Sequence, residues 1–183
     1  MKEDDYLEKV NDEVEEKFKN GVRALNRRNY KKSKKLFNEI LEDKPEFAPA
    51  YNKLGVLLIF QEEYNEAEQR LNKALRVDNE YVPSLINLGN LMKEYGNNQK
   101  AKQFYEKAID IEPKYGPAYN NLSVIFREEG NMTKSIKYMK KASKHGGFSV
   151  KSDFNKPIYK EPGCIFIVGI IAVIIIAIIW VIV

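Results

Sequence analysis

The chain has 183 residues, of which 31% are charged and 44% hydrophobic, and its formal net charge at pH 7 is +4. A single cysteine excludes an intramolecular disulfide framework and a cysteine-rich zinc site. These averages conceal two parts, because residues 164–183 carry no charge and the remainder is correspondingly more polar.

The first part begins with an acidic stretch that contains no apolar run, so we expect no cleaved secretory signal. Apolar residues then recur at roughly helical spacing among many Glu and Lys residues, namely Tyr6, Val10, Val14, Phe18 and Val22. This spacing predicts one long helix over residues 1 to 29.

Between residues 51 and 117 the sequence repeats itself every 34 residues, so that Gly55 recurs as Gly89 and Ala67 as Ala101. Each unit has two apolar rows at helical spacing with a polar turn between them, which predicts a helix, a turn and a second helix. The small residues Gly55 and Ala67 favour a close approach of the two helices. Self-similarity at this interval predicts an array of such helix pairs.

The pattern resembles the tetratricopeptide repeat, whose signature is W-x2-L-G-x2-Y, then A-x3-F, A and P. One copy reads Tyr51-x2-Leu54-Gly55-x2-Leu58, Ala67-x3-Leu71 and Ala74, with Asn79 at the usual proline. The next copy reads Leu85-x2-Leu88-Gly89-x2-Met92, Ala101-x3-Tyr105, Ala108 and Pro113. The resemblance implies an all-α protein with a repeat domain over residues 1–146. We expect a tetratricopeptide-type α-solenoid of about four helix-turn-helix repeats at residues 14–47, 48–81, 82–115 and 116–146.

The first and last copies depart from the signature at Lys17, Asn20, Ser33 and Ile40, and at Ser123, Ser135 and Met139. We interpret the polar departures of the first copy as a solubilising cap on the end of the array. No additional capping helix is evident after the fourth copy. Its last helix is therefore expected to be covered by a second molecule or by apolar residues of the following segment, namely Phe148, Val150, Phe154 and Tyr159.

Residues 147–163 break the periodicity with glycines, prolines and mixed charge, which predicts a basic juxtamembrane linker. Residues 164–183 include ten isoleucines and four valines. As a helix this stretch would span about 30 Å, the thickness of a bilayer's hydrocarbon core. Its insertion is favourable by about 4 to 9 kcal/mol on a biological insertion scale. A transmembrane helix is favoured over a buried core helix, for which the run is too long.

Charge next to this predicted span indicates its orientation. Residues 131–163 contain eight lysines against Asp153 and Glu161. Lysines on the N-terminal side keep that side in the cytoplasm, so we expect a single-pass C-terminal tail anchor with the N-terminal domain in the cytoplasm. Lys151, Lys156 and Lys160 are predicted to contact the membrane surface, whereas for the lysines of residues 134–144 a solvated helix face is an equal alternative. Cys164 is either an acylation site or a small apolar residue of the span.

Motifs for catalysis, metal binding and phosphate binding are absent from the sequence. The only histidine, His145, is expected at a helix end, where it complements the helix dipole. We therefore expect neither an enzyme nor a protein that needs a cofactor or metal, and no nucleic-acid partner.

The resemblance also implies a concave groove lined by the first helix of each repeat. Counting from the repeat starts gives Asn52, Lys53, Val56, Ile59, Ile86, Asn87, Asn90, Lys93, Asn120, Asn121, Val124 and Arg127 as groove residues. Asn87 and Asn121 are hypothesised to pair with the backbone of an extended peptide, with solvated surface amides as the alternative. The basic clamp by which some family members hold acidic chaperone C-termini is matched only at Asn87, so we do not expect that partner.

These expectations lead to a membrane-tethered adaptor that binds a partner peptide or segment in the groove. The alternative is a structural subunit or assembly factor of a larger membrane complex. A third hypothesis, an accessory of membrane fission or protein import, depends on analogy with small tail-anchored repeat proteins.

Overall fold

The computed structural model of the chain describes residues 6–8 and 10–146. These residues form α-helices and no strand. The helices are α1 (Asp12–Asn26), α2 (Tyr30–Asp43), α3 (Ala48–Phe60), α4 (Tyr64–Val77), α5 (Val82–Glu94), α6 (Asn98–Ile111), α7 (Gly116–Glu128) and α8 (Met132–Lys144). The prediction of an all-α helical repeat is thus confirmed for this part of the chain.

The helices form four pairs, and the first helices α3, α5 and α7 begin 34 residues apart. Pro49, Pro83 and Pro117 lie in the first turns of these three helices. Proline is suited to this position, because the first backbone N–H groups of a helix have no intrahelical acceptor. The same period therefore fixes where each first helix begins.

The turn within each pair has the same backbone geometry in all four repeats. Arg28, Glu62, Gly96 and Gly130 have φ values of 58°, 63°, 73° and 76°. In each turn the N–H of the following residue donates to a carbonyl five positions back, as Asn97 does to Met92 at 2.8 Å. This is a Schellman motif, which ends one helix and reverses the chain into the next.

Small residues lie where the two helices of a pair approach most closely, as the sequence indicates. A Cβ atom on Gly55 would lie 2.6 Å from Leu71 Cγ, and one on Gly89 would lie 2.4 Å from Tyr105 Cε1. In the first repeat Ser33 replaces the signature alanine, and its hydroxyl donates to the Gly21 carbonyl at 3.0 Å.

The interpretation of the first repeat as a polar cap is wrong for Ser33, which is fully buried between the helices. Ile40, the apolar departure from the signature, is fully buried as well. Lys17 and Asn20, by contrast, are partly exposed. Lys17 lies 3.9 Å from carboxylate oxygens of Glu13, Glu39 and Asp43.

The prediction of one long helix over residues 1 to 29 is also wrong. Asn11 has extended backbone angles (φ −72°, ψ 160°), and its side chain caps α1 by accepting from the Val14 N–H. Before this cap, Tyr6 packs edge-on against Phe47 and Tyr81, with ring centroids 5.8 and 5.7 Å apart. The apolar spacing therefore continues across a break in the helix.

Among the helices at residues 12–144, none has both the length and the apolar character that crossing a membrane requires. The predicted linker (147–163) and the predicted membrane helix (164–183) lie outside the described residues. The same is true of Lys151, Lys156, Lys160 and Cys164.

Candidate partner-binding groove

The first helices α1, α3, α5 and α7 contact one another in sequence and form one layer of the array. Two cavities lie along this layer. We call the surface that contains them the groove.

The first cavity has a volume of about 310 Å³ and lies between α1, α3 and α5. Its apolar lining residues are Val22, Leu25, Val56, Phe60, Pro83 and Ile86, and its polar ones are Asn26, Asn52, Lys53, Asn87 and Tyr115. Five of these are predicted groove residues. Val22 is one period before Val56, so extending the count into the first repeat would have found it.

The second cavity has a volume of about 300 Å³ and is lined by Asn90, Lys93, Glu94, Tyr105, Asn121 and Val124. Sequence reasoning missed Glu94 and Tyr105. Tyr105 belongs to the second helix of its pair, and it reaches the cavity because Gly89 leaves room for its ring. Counting 34-residue steps along the first helices could not have identified Tyr105.

Three predicted groove residues line neither cavity. Ile59 packs with the apolar cluster of Leu25, Leu57 and Leu58. Arg127 is exposed, and the carbonyl oxygen of Asn120 accepts from the Ser123 hydroxyl at 2.7 Å.

The asparagines of the groove are joined in pairs across neighbouring repeats. Asn52 Oδ1 accepts from Asn87 Nδ2 at 2.8 Å and from Ser84 Oγ at 3.1 Å. Asn90 Oδ1 accepts from Asn121 Nδ2 at 2.9 Å. An amide group offers two N–H donors and one oxygen, so each of these two bonds uses one N–H and leaves Oδ1, and the Asn121 side chain also interacts with the Tyr105 hydroxyl.

Asn52 differs from the other predicted amides because only 2% of it is exposed. Its oxygen already serves two donors within the stack. Its role is therefore to orient Asn87, which is only partly buried and lies at the surface of the first cavity.

A second asparagine, Asn90, orients Tyr105 by accepting its hydroxyl at 2.8 Å. Burial is the main cause that raises the pKa of Tyr105 above its usual value of 10. The hydroxyl therefore stays protonated as a donor throughout the neutral range.

Basic side chains in the groove are partly engaged by other groups. Lys93 pairs with Glu128 at 2.9 Å, and this ion pair links α5 to α7. Lys53 Nζ lies 5.9 Å from the centre of the Phe18 ring, within cation–π range. The groove is consequently mixed in charge rather than strongly basic.

His145 directly follows α8, and its N–H donates to the Lys141 and Ala142 carbonyls at 3.1 Å. Its ring stacks on Tyr119 with centroids 5.6 Å apart. No group of three or more His, Cys, Asp or Glu side chains in the described ranges is arranged to hold a metal ion.

Helix pairs that repeat every 34 residues and present a continuous layer of first helices define a repeat scaffold for protein–protein interaction. Residues 48–81, 82–115 and 116–144 each match the family model described as tetratricopeptide repeat. These matches cover more than half of the chain, so the chain belongs to the tetratricopeptide repeat family. Proteins of this family are generally non-catalytic scaffolds.

Solved structures with the same fold include a crystal structure of MamA, which is 25% identical with a TM-score of 0.61 over 73% of this chain and 78% of that one. A MamA structure from MSR-1 is 19% identical with a TM-score of 0.55 over 76% and 83% of the two chains. Pseudomonas aeruginosa pilF is 20% identical with a TM-score of 0.64 over 74% of this chain and 62% of its own. A comparison with curated proteins gave no match.

Proposed function

We propose that this protein is a membrane-tethered adaptor that holds a segment of a partner protein in its groove. The observation that carries the proposal is the first cavity, in which apolar side chains from three repeats surround a partly exposed, oriented amide. Apolar pockets with a few well-placed polar groups are typical binding sites.

The first cavity suits one apolar side chain of the partner as an anchor. Val22, Val56 and Ile86 come from three different helices, so an anchor here would contact three repeats at once. Burial of such a side chain contributes about 1.5–3 kcal/mol. The anchor would therefore supply much of the affinity, as buried central residues do in other interfaces.

Asn87 and Asn121 would then bind the backbone of the partner segment where it continues from the anchor towards α7. The Oδ1 atom of each can accept a backbone N–H, and the second N–H of Asn87 can donate to a carbonyl. Both side chains are held from one side by Asn52 and Asn90. Less conformational entropy is lost on binding when an amide is already oriented in this way.

The tether in this proposal is the charge-free stretch at residues 164–183, with the repeat domain on the cytoplasmic side. Lys151, Lys156 and Lys160 would contact the headgroups, and Cys164 is a candidate for acylation. Confinement to a membrane raises the effective concentration of the domain near a membrane partner, so modest affinity suffices.

A photoreactive residue at position 87 tests the groove, with the same residue at position 79 as the control. Asn79 is an exposed asparagine in the turn between α4 and α5. We expect a discrete adduct from position 87 only, and we expect Val56→Asp to abolish it by placing a charge in the first cavity. Equal adducts from both positions would contradict the groove proposal. Extraction of the full chain from membranes by alkaline carbonate would contradict the tether separately.

The alternative, a subunit of a larger membrane complex, is favoured by one observation. Met132 and Ile136 on α8 are 54% and 48% exposed, although both are large and hydrophobic. A subunit would cover this face with another protein. Size measurement of the detergent-solubilised full chain separates the two hypotheses, because a monomer favours the adaptor and a defined oligomer favours the subunit.

A further inference from the structure

The outer face of α8 combines exposed apolar residues with an unusual charge. Met132 and Ile136, which are exposed, and Met139, which is partly buried, follow one another at helical spacing and form a stripe along the helix. Lys137, Lys140 and Lys144 form a parallel row beside it, and all three are exposed. We call this combination the α8 face.

The lysines of this face are not held in ion pairs, although Glu106 of α6 contributes a negative charge near Tyr138 of α8. Helix α8 contains five lysines and no acidic residue, and no α8 lysine forms an ion pair in the described part of the chain. The two acids at the end of α7 are engaged elsewhere, Glu128 with Lys93 at 2.9 Å and Glu129 with Lys102 at 2.8 Å.

The two remaining lysines of α8 lie over aromatic rings. Lys134 Nζ is 5.1 Å from the centre of the Phe126 ring, and Lys141 Nζ is 5.3 Å from that of Tyr119. Cation–π contact keeps a lysine charged and fixes its position. These two lysines therefore add to the positive potential of α8. They leave Lys137, Lys140 and Lys144 free to face an anionic surface.

We propose that the α8 face docks against an anionic phospholipid surface, with the lysine row at the headgroups and the Met132–Ile136–Met139 stripe at the acyl boundary. An apolar stripe beside a lysine row is the arrangement of helices that lie in a membrane interface. A second copy of α8 would bring its own row of three lysines to the same face and is therefore disfavoured by charge repulsion.

The inference rests on the proposed tether for proximity to lipid. Residues 145–163 separate α8 from the charge-free stretch. Even a fully extended chain of that length spans at most about 65 Å. A domain tethered within this distance of the bilayer would encounter the headgroups repeatedly, and the encounter would be productive where positive charge and apolar side chains coincide.

The test uses the full chain reconstituted in vesicles, on a Cys164→Ser background, with a fluorophore on a single new cysteine. Ile136→Cys reports on the α8 face, and Lys35→Cys on the exposed side of α2 is the control. A quencher is attached to lipid headgroups. We expect strong quenching at position 136 in vesicles that contain phosphatidylserine, weak quenching in pure phosphatidylcholine, and weak quenching at position 35 in both.

A charge variant tests the mechanism. Lys137→Gln, Lys140→Gln and Lys144→Gln together should lower the docked-to-undocked ratio by about a hundredfold, at about 1 kcal/mol for each lysine near the surface. The matched control, Lys31→Gln with Lys32→Gln and Lys35→Gln on α2, removes the same number of exposed lysines and should leave quenching at position 136 unchanged.

The possible results separate the face from the tether. Quenching at position 136 in a chain that carbonate extracts would support the α8 face and overturn the tether. A carbonate-resistant chain without quenching at position 136 would overturn the α8 face and leave the tether. Crosslinking between two copies through position 136 would overturn the inference by assigning the face to a second copy. A blue shift of the probe at position 136 without lipid would overturn it by assigning the face to residues 147–163. A chain that does not associate with vesicles would overturn both proposals.

Discussion

The side chain of Asn87 donates to Asn52 Oδ1 at 2.8 Å, and this bond joins the first helices of two neighbouring repeats at the floor of the first cavity. Ser84 donates to the same oxygen at 3.1 Å. A single buried acceptor thus fixes two polar side chains of the next repeat. The groove and the packing between repeats consequently depend on the same residue.

The first prediction follows from this arrangement. Asn52→Ala should lower the free energy of unfolding by about 1–3 kcal/mol, because it leaves the Ser84 hydroxyl and the Asn87 amide without their buried acceptor. Denaturant titration of the full chain in detergent measures the change. Asn120→Ala is the matched control, since the Asn120 side chain makes no hydrogen bond in the described residues, and it should change stability by less than about 0.5 kcal/mol. Equal losses for both variants would contradict the role given to Asn52.

Most of the architecture was predictable because the same small and large residues recur at the same helix–helix contacts in successive repeats. Gly55 and Ala67 indicated the close approach of paired helices, and the structure places Leu71 directly against Gly55. The period gives the spacing of the helices because each pair packs on a copy of itself. The groove residues Val56 and Asn87 followed from the same count.

Other features were not predictable because they depend on which way a side chain turns. Asn52 was expected at the surface of the groove, but its oxygen is satisfied inside the stack and only 2% of the residue is exposed. Ser33 was interpreted as a polar cap, yet a hydroxyl can be buried when it reaches a backbone carbonyl, as it does at Gly21. The break before α1 was hidden because Tyr6 and Val10 are apolar for packing reasons unrelated to helical continuity.

The second prediction concerns the close approach at Gly89. Gly89→Ala should destabilise the chain by about 1–3 kcal/mol through overpacking, even though alanine is the better helix former. The added Cβ would lie 2.4 Å from Tyr105 Cε1 and push that ring away from Asn90. Ser123 occupies the equivalent position in the fourth repeat and already carries a Cβ, so Ser123→Ala should cost less. Thermal unfolding of both variants measures the difference, and a neutral Gly89→Ala would contradict the packing argument.

The third prediction concerns the turn of the second repeat. Glu62 has a φ of 63°, which costs a residue with a side chain roughly 1–2 kcal/mol relative to glycine. Glu62→Gly should therefore stabilise the chain by about 1 kcal/mol, as measured by denaturant titration. Gly96→Ala is the reverse experiment: beyond the two neighbouring residues no atom lies within 4 Å of the added Cβ, so any loss of stability reports the backbone conformation alone. Unchanged stability in both variants would show that the turns tolerate a side chain without strain.

The fourth prediction uses the neighbouring position. Asn29, Asn97 and Asn131 cap the second helix of their pairs by accepting an N–H, whereas Glu63 makes no such bond. Glu63→Asn should restore the cap and stabilise the chain by about 0.5–2 kcal/mol. The converse variant, Asn97→Ala, should lower the free energy of unfolding by a similar amount. Both changes are read from the midpoint of unfolding, and a destabilising Glu63→Asn would indicate that the glutamate has another role there.

The last prediction concerns pH and the start of the chain. Burial is the main cause that raises the pKa of Tyr6 above 10, and the hydrogen bond to Asp78 and the charge of Asp78 raise it further. The Tyr6 hydroxyl donates to Asp78 Oδ2 at 2.9 Å, and this bond ties the segment before α1 to the turn between α4 and α5. Unfolded Tyr6 loses its proton near pH 10 while the folded form keeps it, so its contribution to stability is complete below pH 10 and is lost as the pH rises above that value.

Tyr6→Phe should lower stability at neutral pH by about 0.5–1.5 kcal/mol and reduce the fall in stability above pH 10. Tyr30→Phe, in a tyrosine for which the structure gives no hydrogen bond to a carboxylate, is the control for denaturation curves between pH 7 and about pH 11. An identical alkaline slope in the wild type and Tyr6→Phe would contradict the assignment.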